Sequence, residues 1–108
     1  MRMESSLTIY PIKSDKVEKV KSLISELKKH KAESLETLKE AEIYLETIFI
    51  QNNCLFVYKI TRNLENMKNI QNRSEHKLYE KIRPVLSECL KKGHEIRPDG
   101  EFFNLPKF

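Results

Sequence analysis

Two periods of hydrophobic positions run along the chain, and they predict its secondary structure. Residues 7–12 are an apolar run that predicts a first strand, and Pro11 marks an edge or the strand end because proline cannot donate to a β ladder. Between residues 15 and 41 apolar positions recur every three or four residues, which predicts one long helix with a single core-facing stripe. The stripe fails between Lys28 and Ser34, so we expect the helix to bend or overhang the sheet there.

A hairpin is expected after this helix. Residues 42–51 and 54–60 are dense in isoleucine, leucine and aromatic side chains, which predicts a second and a third strand. Asn52 and Asn53 lie between them, and asparagine tolerates the positive φ that a tight hairpin turn requires.

Two helices and a last strand are expected after the hairpin. Asn63 and Ser74 are expected to cap the helices, because their side chains accept hydrogen bonds from the free N–H groups at a helix start. In the second of these helices we expect Pro84 to cause a kink or a restart and Gly93 to follow the last turn. Residues 101–105 are the predicted last strand. The order β-α-β-β-α-β predicts one α+β domain with an antiparallel sheet.

The two hairpin strands are apolar on both faces, which predicts a homodimer. Helices cover only one sheet face in this strand order, and two copies packed across a two-fold axis would bury the other. A charge at the centre of such an interface would be costly, so we expect Glu46 to face the helices and an uncharged set to form the contact. The uncharged set is Ile43, Leu45, Thr47, Phe49, Leu55 and Val57, and the other set is Tyr44, Glu46, Ile48, Ile50, Phe56 and Tyr58.

Composition and charge narrow the class of protein. A hydrophobic fraction of 39% is too high for a disordered chain. The net charge of +4 would suit a nucleic-acid partner, but lysines alternate with acidic residues as they do on solvated helix faces, so we expect no nucleic acid. No apolar run is long enough for a leader or a membrane span, and we therefore expect a cytoplasmic protein with free thiols at Cys54 and Cys89.

Three segments carry a resemblance to a known superfamily. They are Glu36-Thr37-Leu38-Lys39-Glu40, Leu45-Glu46-Thr47-Ile48-Phe49 and Leu55-Phe56-Val57-Tyr58. With them the chain resembles the dimeric α/β-barrel superfamily of ferredoxin-like domains, and within it a small uncharacterised family. The superfamily includes antibiotic-biosynthesis-type monooxygenases, haem-degrading monooxygenases and L-rhamnose mutarotase. The resemblance implies a ferredoxin-like fold, a dimer and a pocket between sheet and helices.

A weaker resemblance to L-rhamnose mutarotase rests on residues 47–50, 55–58 and 101–105. The paired tryptophans of that enzyme have no counterpart, because this chain contains no tryptophan. His30 does not align with its helix-borne histidine. These departures argue against mutarotase activity, and the missing tryptophan also argues against haem degradation.

Six residues are candidates for a site. Glu46, Tyr58 and His76 are the catalytic candidates: a carboxylate between apolar neighbours has a raised pKa, Tyr58 is expected on the same face, and a histidine in the first turn of a helix stays neutral. The ligand-binding candidates are His30 and Ser34, at the polar gap in the first helix, and Tyr44, on the Glu46 face. Each also has a plain structural interpretation, as a hydrogen-bonded core residue or a solvated one. No spacing of histidine, cysteine or acidic residues indicates a metal, and we expect no cofactor.

Two functions of different classes fit these residues. The first is a small-molecule-binding dimer, with the possibility of a cofactor-free enzyme resembling the monooxygenases or mutarotases. The alternative is a non-catalytic binding or regulatory module, since Phe56-Val57-Tyr58 faintly resembles the aromatic strand of RNA-recognition domains. The glycine and basic residues that precede that strand in such domains are missing here, which argues against RNA.

Overall fold

A computed structural model describes residues 3–98, and the predicted last strand at 101–105 lies outside these residues. The described part has four strands in one antiparallel sheet of order β2-β3-β1-β4, with four helices. The α+β class and the strand order expected for residues 4–61 are confirmed. The elements are β1 (Glu4–Pro11), α1 (Val17–Lys29), α2 (Lys31–Glu40), β2 (Ile43–Gln51), β3 (Cys54–Thr61), α3 (Leu64–Arg73), α4 (Lys77–Cys89) and β4 (His94–Ile96).

The hairpin turn decides which side chains of β2 and β3 share a face. Asn52 and Asn53 have φ values of 51° and 60°, the left-handed conformation of a two-residue turn, so Gln51 pairs with Cys54. Every odd-numbered residue of β2 after the bulge therefore lies opposite an even-numbered residue of β3. The prediction that odd-numbered residues of the two strands share a face is wrong for this reason.

The true faces follow from this pairing. Leu55 and Val57, expected at the dimer contact, face the helices together with Glu46, Ile48 and Ile50. Tyr58, expected beside Glu46, pairs instead with Thr47 on the outward face. That face also carries Leu45 opposite Ile60 and Phe49 opposite Phe56, whose rings stack with 4.8 Å between centroids.

A bulge at the start of β2 changes the face of its first residue. The pairing passes from Ile43 opposite Thr61 to Leu45 opposite Ile60, so Tyr44 is inserted between the two pairs. Ile43 is buried with Leu64 and is not on the outward face, contrary to the expected interface set. We expected Tyr44 to share the face of Glu46, and because of the bulge it does not.

The long helix breaks where its apolar stripe fails. α1 ends at Lys29 and α2 begins at Lys31, with His30 between them at φ −109° and ψ 47°. The predicted bend between Lys28 and Ser34 is confirmed. The break lets α2 turn and pack on β2 through Leu38 and Ala41, which a straight helix could not reach.

The ends of α3 and α4 depart in part from the prediction. Asn63 caps α3 as expected, accepting from the Asn66 N–H at 2.8 Å. Ser74 does not cap α4: its hydroxyl accepts from the His76 N–H, and His76 caps the helix instead. α4 continues through Pro84 without restarting and ends at Cys89, so the predicted end at Gly93 is also wrong.

Two small clusters form the core on the helix side of the sheet. Val20, Leu55 and Cys89 belong to the first, and Ile43 and Met67 to the second. Both thiols are free, with Cys89 buried and Cys54 half-buried. Val20 and Leu55 of the first cluster line the site described below.

Gly93 is required by a close approach to Tyr10. After α4, the chain crosses the sheet edge to form β4, which pairs with β1 and was not predicted. A Cβ at Gly93 would lie 2.5 Å from Cε1 of Tyr10, well inside van der Waals contact. Glycine therefore allows the Tyr10 ring to keep its place.

We expect Gly93→Ala to destabilise the protein by about 1–3 kcal/mol, because the Tyr10 ring must shift. Urea unfolding measures the effect. The matched experiment repeats the substitution in a Tyr10→Leu background, where the cost should be clearly smaller. Equal costs in the two backgrounds would show that the ring contact is not the cause.

Candidate functional site

A cavity of about 560 Å³ lies between the sheet and the helices. Its floor is made of three rows of paired side chains on the helix side of β1, β2 and β3. Its walls come from α1 and α4 and are mostly branched aliphatic. The wall residues are Val20, Leu23, Ile24, Leu27, Leu78, Ile82 and Leu86.

One end of the cavity is polar and contains an opposite-charge pair. Glu46 and Lys59 are direct cross-strand partners, and Glu46 Oε2 lies 3.8 Å from Lys59 Nζ. Their side chains are only 22% and 19% exposed. Such pairs are rare inside small domains, because removing two charges from water costs free energy that their attraction only partly restores.

Burial dominates the protonation of Glu46. Loss of water raises the pKa of its carboxyl above the ordinary value of 4.5, and the positive charge of Lys59 only partly opposes this effect. The sequence-based expectation of a raised pKa agrees in direction and in cause. A carboxyl of this kind is suited to accept or give up a proton in contact with a bound molecule.

A chain of hydrogen bonds extends from this pair to α4. Lys59 Nζ donates to Gln71 Oε1 at 3.5 Å, and Gln71 Nε2 donates to the Tyr79 hydroxyl at 3.2 Å. Burial raises the pKa of Tyr79, while hydrogen bonds from Gln71 and Thr37 act in the opposite direction. The phenol therefore stays protonated at neutral pH and presents a hydroxyl to the cavity.

Arg83 holds this chain in place from behind. Its guanidinium donates to the backbone carbonyls of Gln71 and Ser74 at the C-terminal end of α3. It also lies 5.2 Å from the centre of the Tyr79 ring, within the range of a cation–π contact. Arg83 thus holds Gln71 at its backbone carbonyl and contacts Tyr79 at its ring, and both residues line the cavity.

The opposite end of the cavity is closed by Tyr10 and by Gly93 beside it. Tyr10 pairs with Leu55 in the sheet, two rows from the Glu46 row. Burial, followed by the negative charge of Glu95, raises the pKa of the Tyr10 hydroxyl. This end therefore presents a neutral phenol, and the exposed side chains of Lys91 and Lys92 also line the cavity beside Gly93.

The structure brings two of the six predicted residues to the cavity, Glu46 and Ser34. Ser34 lies in the first turn of α2, where its hydroxyl donates to the His30 carbonyl at 3.1 Å. Tyr58 is on the other sheet face, and Tyr44 is 48% exposed in the bulge and does not line the cavity.

The two predicted histidines also lie outside the cavity lining. His30, at the helix break, lies between Glu26 and Glu33, at 3.6 Å and 3.7 Å from their carboxylates. His76 is a helix cap: Nδ1 accepts from the Leu78 N–H, and Nε2 lies 3.1 Å from Glu36. Both ring nitrogens of His76 are thus engaged: Nδ1 caps α4, and Nε2 joins α4 to α2.

Sequence reasoning missed Lys59, Gln71 and Tyr79. Lys59 could have been found, because a two-residue turn at residues 52 and 53 pairs residues whose numbers sum to 105, which places it opposite Glu46. Gln71 and Tyr79 carry no comparable signal, since helix periodicity does not say which polar residues turn toward the sheet.

Residues 3–98 contain no candidate metal site and no candidate membrane-spanning helix. No group of three or more histidine, cysteine or acidic side chains there could hold a metal ion. No helix in this range is long and apolar enough to cross a membrane.

Residues 3–106 match the model of a family of unknown function, DUF6176. The chain belongs to this family. A search of curated proteins finds none that matches this chain.

Solved structures share the fold over nearly the whole chain. A protein from Bacteroides thetaiotaomicron, provisionally assigned as an antibiotic biosynthesis monooxygenase, is 12% identical, with a TM-score of 0.69 over 99% of this chain and 97% of its own. A conserved protein from Methanosarcina mazei is 22% identical, with a TM-score of 0.64 over 94% and 95%. A NIPSNAP family protein from Agrobacterium tumefaciens is 13% identical, with a TM-score of 0.65 over 95% and 90%.

These similarities show that this DUF6176 member has a ferredoxin-like fold. At such identities they show the fold alone. The resemblance to L-rhamnose mutarotase stays a prediction.

The raised pKa of Glu46 has a consequence for stability. Because the folded state holds this proton more tightly, the stabilisation linked to it is present below pH 4.5 and is lost as the pH rises through the folded pKa. Glu46→Gln cannot lose a proton. We therefore expect the variant to gain stability relative to the wild type as the pH rises above about 4.5, as measured by denaturant unfolding.

Glu18→Gln, which removes an exposed carboxylate from α1, is the control for loss of one charge. A stability difference between Glu46→Gln and the wild type that stays constant with pH, or that shrinks as the pH rises, would contradict the assignment.

Proposed function

We propose that this protein binds a small organic molecule in the cavity between its sheet and its helices. The observation that carries the proposal is the half-buried pair of Glu46 and Lys59 at one end of a mostly apolar space of about 560 Å³. Ligand sites typically have such volumes and such walls, with a few polar groups that orient the ligand. A purely structural core would gain stability by filling this space with apolar side chains.

A cofactor-free reaction at Glu46 is the second function that we propose. Its raised pKa suits a group that takes a proton from a bound molecule and returns it. The provisional assignment of one structural neighbour as a monooxygenase supports a search for such chemistry. Binding is a precondition of this reaction, so it is tested first.

The neutral fluorescent probe N-phenyl-1-naphthylamine tests binding. We expect saturable fluorescence enhancement with the wild type. Val57→Phe and Ile48→Phe should each weaken binding roughly tenfold or more, because the added ring occupies the floor of the cavity and a ligand must displace it. Two variants on neighbouring strands are compared so that the test stays informative if one of them misfolds. Circular dichroism detects such misfolding.

The matched control is Leu35→Phe, which adds a ring to the surface of α2, where Leu35 is 54% exposed. It should bind the probe as the wild type does. Absence of saturable binding to the wild type, or equal binding by all the variants, would contradict the proposed site.

We also propose that the outward sheet face pairs two copies of the chain. Leu45 and Phe49 are 44% and 45% exposed there, an unusual exposure for large apolar side chains on a sheet. Phe56 and Tyr58 extend the same face on β3, and Ile96 extends it to β4. The face carries no acidic residue between Leu45 and Phe49, whereas Glu46 points to the helices, which suits a symmetric apolar contact.

Leu45→Asp and Phe49→Asp should each convert the dimer to a monomer. The introduced carboxylate would be desolvated and would lie near its own copy across the two-fold axis. Size-exclusion chromatography with light scattering measures the mass. Leu35→Asp, the same type of change on the helix surface, should leave the dimer intact. A monomeric wild type, or Asp variants that remain dimeric, would contradict this interface.

A further inference from the structure

The charges at the polar end of the cavity favour an uncharged ligand. Glu46 and Lys59 oppose each other, so a bound anion would meet the carboxylate and a bound cation the ammonium. Arg83 lines the cavity nearby and donates to two backbone carbonyls. Its charge and those of Lys91 and Lys92, which also line the cavity, are screened by water because all three residues are exposed. The remaining groups at this end, Gln71 and Tyr79, are neutral hydrogen-bonding partners.

The spacing of the pair leaves both groups able to bind a ligand. Their 3.8 Å separation is longer than the roughly 2.8 Å of a charge-assisted hydrogen bond, so neither group saturates the other. Lys59 has three donors, of which Gln71 takes one. The pair therefore presents an acceptor and a donor side by side. Its complement is a ligand with a donor and an acceptor on neighbouring atoms.

The shape of the space beyond the pair favours a flat ligand. The next pairs along the helix side of the sheet are Ile48 with Val57 and then Ile50 with Leu55, and the strand runs about 13 Å from Glu46 to Ile50. Branched side chains from α1 and α4 lie above this floor. A fused ring lies well between two such layers, whereas a heavily hydroxylated molecule would leave its polar groups without partners.

We propose that the cavity selects neutral, planar ring compounds whose ring edge carries a hydrogen-bond donor next to an acceptor, as a cyclic amide does. Its N–H donates to Glu46, and its carbonyl accepts from Lys59. This inference rests on the proposed binding function and adds the class of ligand to it.

Three bicyclic probes separate this pattern from simple apolar binding. 2-Quinolone carries the N–H and the carbonyl side by side, N-methyl-2-quinolone lacks the donor, and quinoline lacks both the donor and the carbonyl. Each competes with N-phenyl-1-naphthylamine for the full chain. We expect 2-quinolone to bind roughly tenfold more tightly than either of the others, as a hydrogen bond to a charged group would provide.

The double variant Glu46→Met with Lys59→Met removes both charges and keeps similar side-chain volumes, so no unpaired charge is left inside the protein. The preference for 2-quinolone over its N-methyl form should disappear in it, while circular dichroism and thermal unfolding report on its fold. The matched control replaces Glu18 and Lys21 with methionine, an exposed ion pair on α1. This control should keep the preference.

Each outcome separates this inference from the function on which it rests. If the probes bind to the wild type with equal affinity, or if the double variant keeps the preference, the ligand class is wrong and cavity binding stands. If no probe binds, including N-phenyl-1-naphthylamine, the proposed function fails and this inference fails with it.

Discussion

The pairing of β2 with β3 across the Asn52–Asn53 turn is the constraint on which the site depends. Two successive residues with positive φ make the tightest hairpin, and this turn sets a single register for both strands. In that register Glu46 lies opposite Lys59, and Phe49 opposite Phe56. A shift of one residue in either strand would separate Glu46 from Lys59 and Phe49 from Phe56, and would turn the shifted strand's side chains to the other face. One short turn thus decides both the chemistry of the cavity and the character of the exposed face.

The break at His30 is the second element that makes room for a site. A straight helix over the length of α1 and α2 would extend far past the sheet. After the break, α2 packs on β2 through Leu38 and Ala41, and α1 packs on the sheet with Val20 in the same core cluster as Leu55. Two hydroxyls donate to backbone carbonyls at this corner. The Ser34 hydroxyl donates to the carbonyls of Leu27 and His30, and the Thr37 hydroxyl donates to the carbonyl of Ser34. The two helices thereby enclose space above the sheet that one continuous helix would leave open.

The half-buried pair of Glu46 and Lys59 costs stability, and this cost connects structure to function. Glu46 and Lys59 lie too far apart to satisfy each other fully, and Gln71 and Tyr79 complete only part of their hydrogen bonding. Two apolar side chains would serve the fold better at these positions. A protein that keeps an incompletely paired carboxylate and ammonium beside an apolar cavity has the features expected of a binding site.

The sequence by itself determined the elements up to the hairpin, the break between Lys28 and Ser34, the cap at Asn63 and the burial of Glu46. These depend on periodicity, turn residues and local hydrogen bonds, which act over a few neighbouring residues. Only the tertiary structure decided that Tyr58 turns outward, that His76 caps α4 and contacts Glu36, and that Gln71 and Tyr79 complete the polar end. Those features depend on strand register and on helix rotation about the sheet, which are set by contacts between residues far apart in the chain.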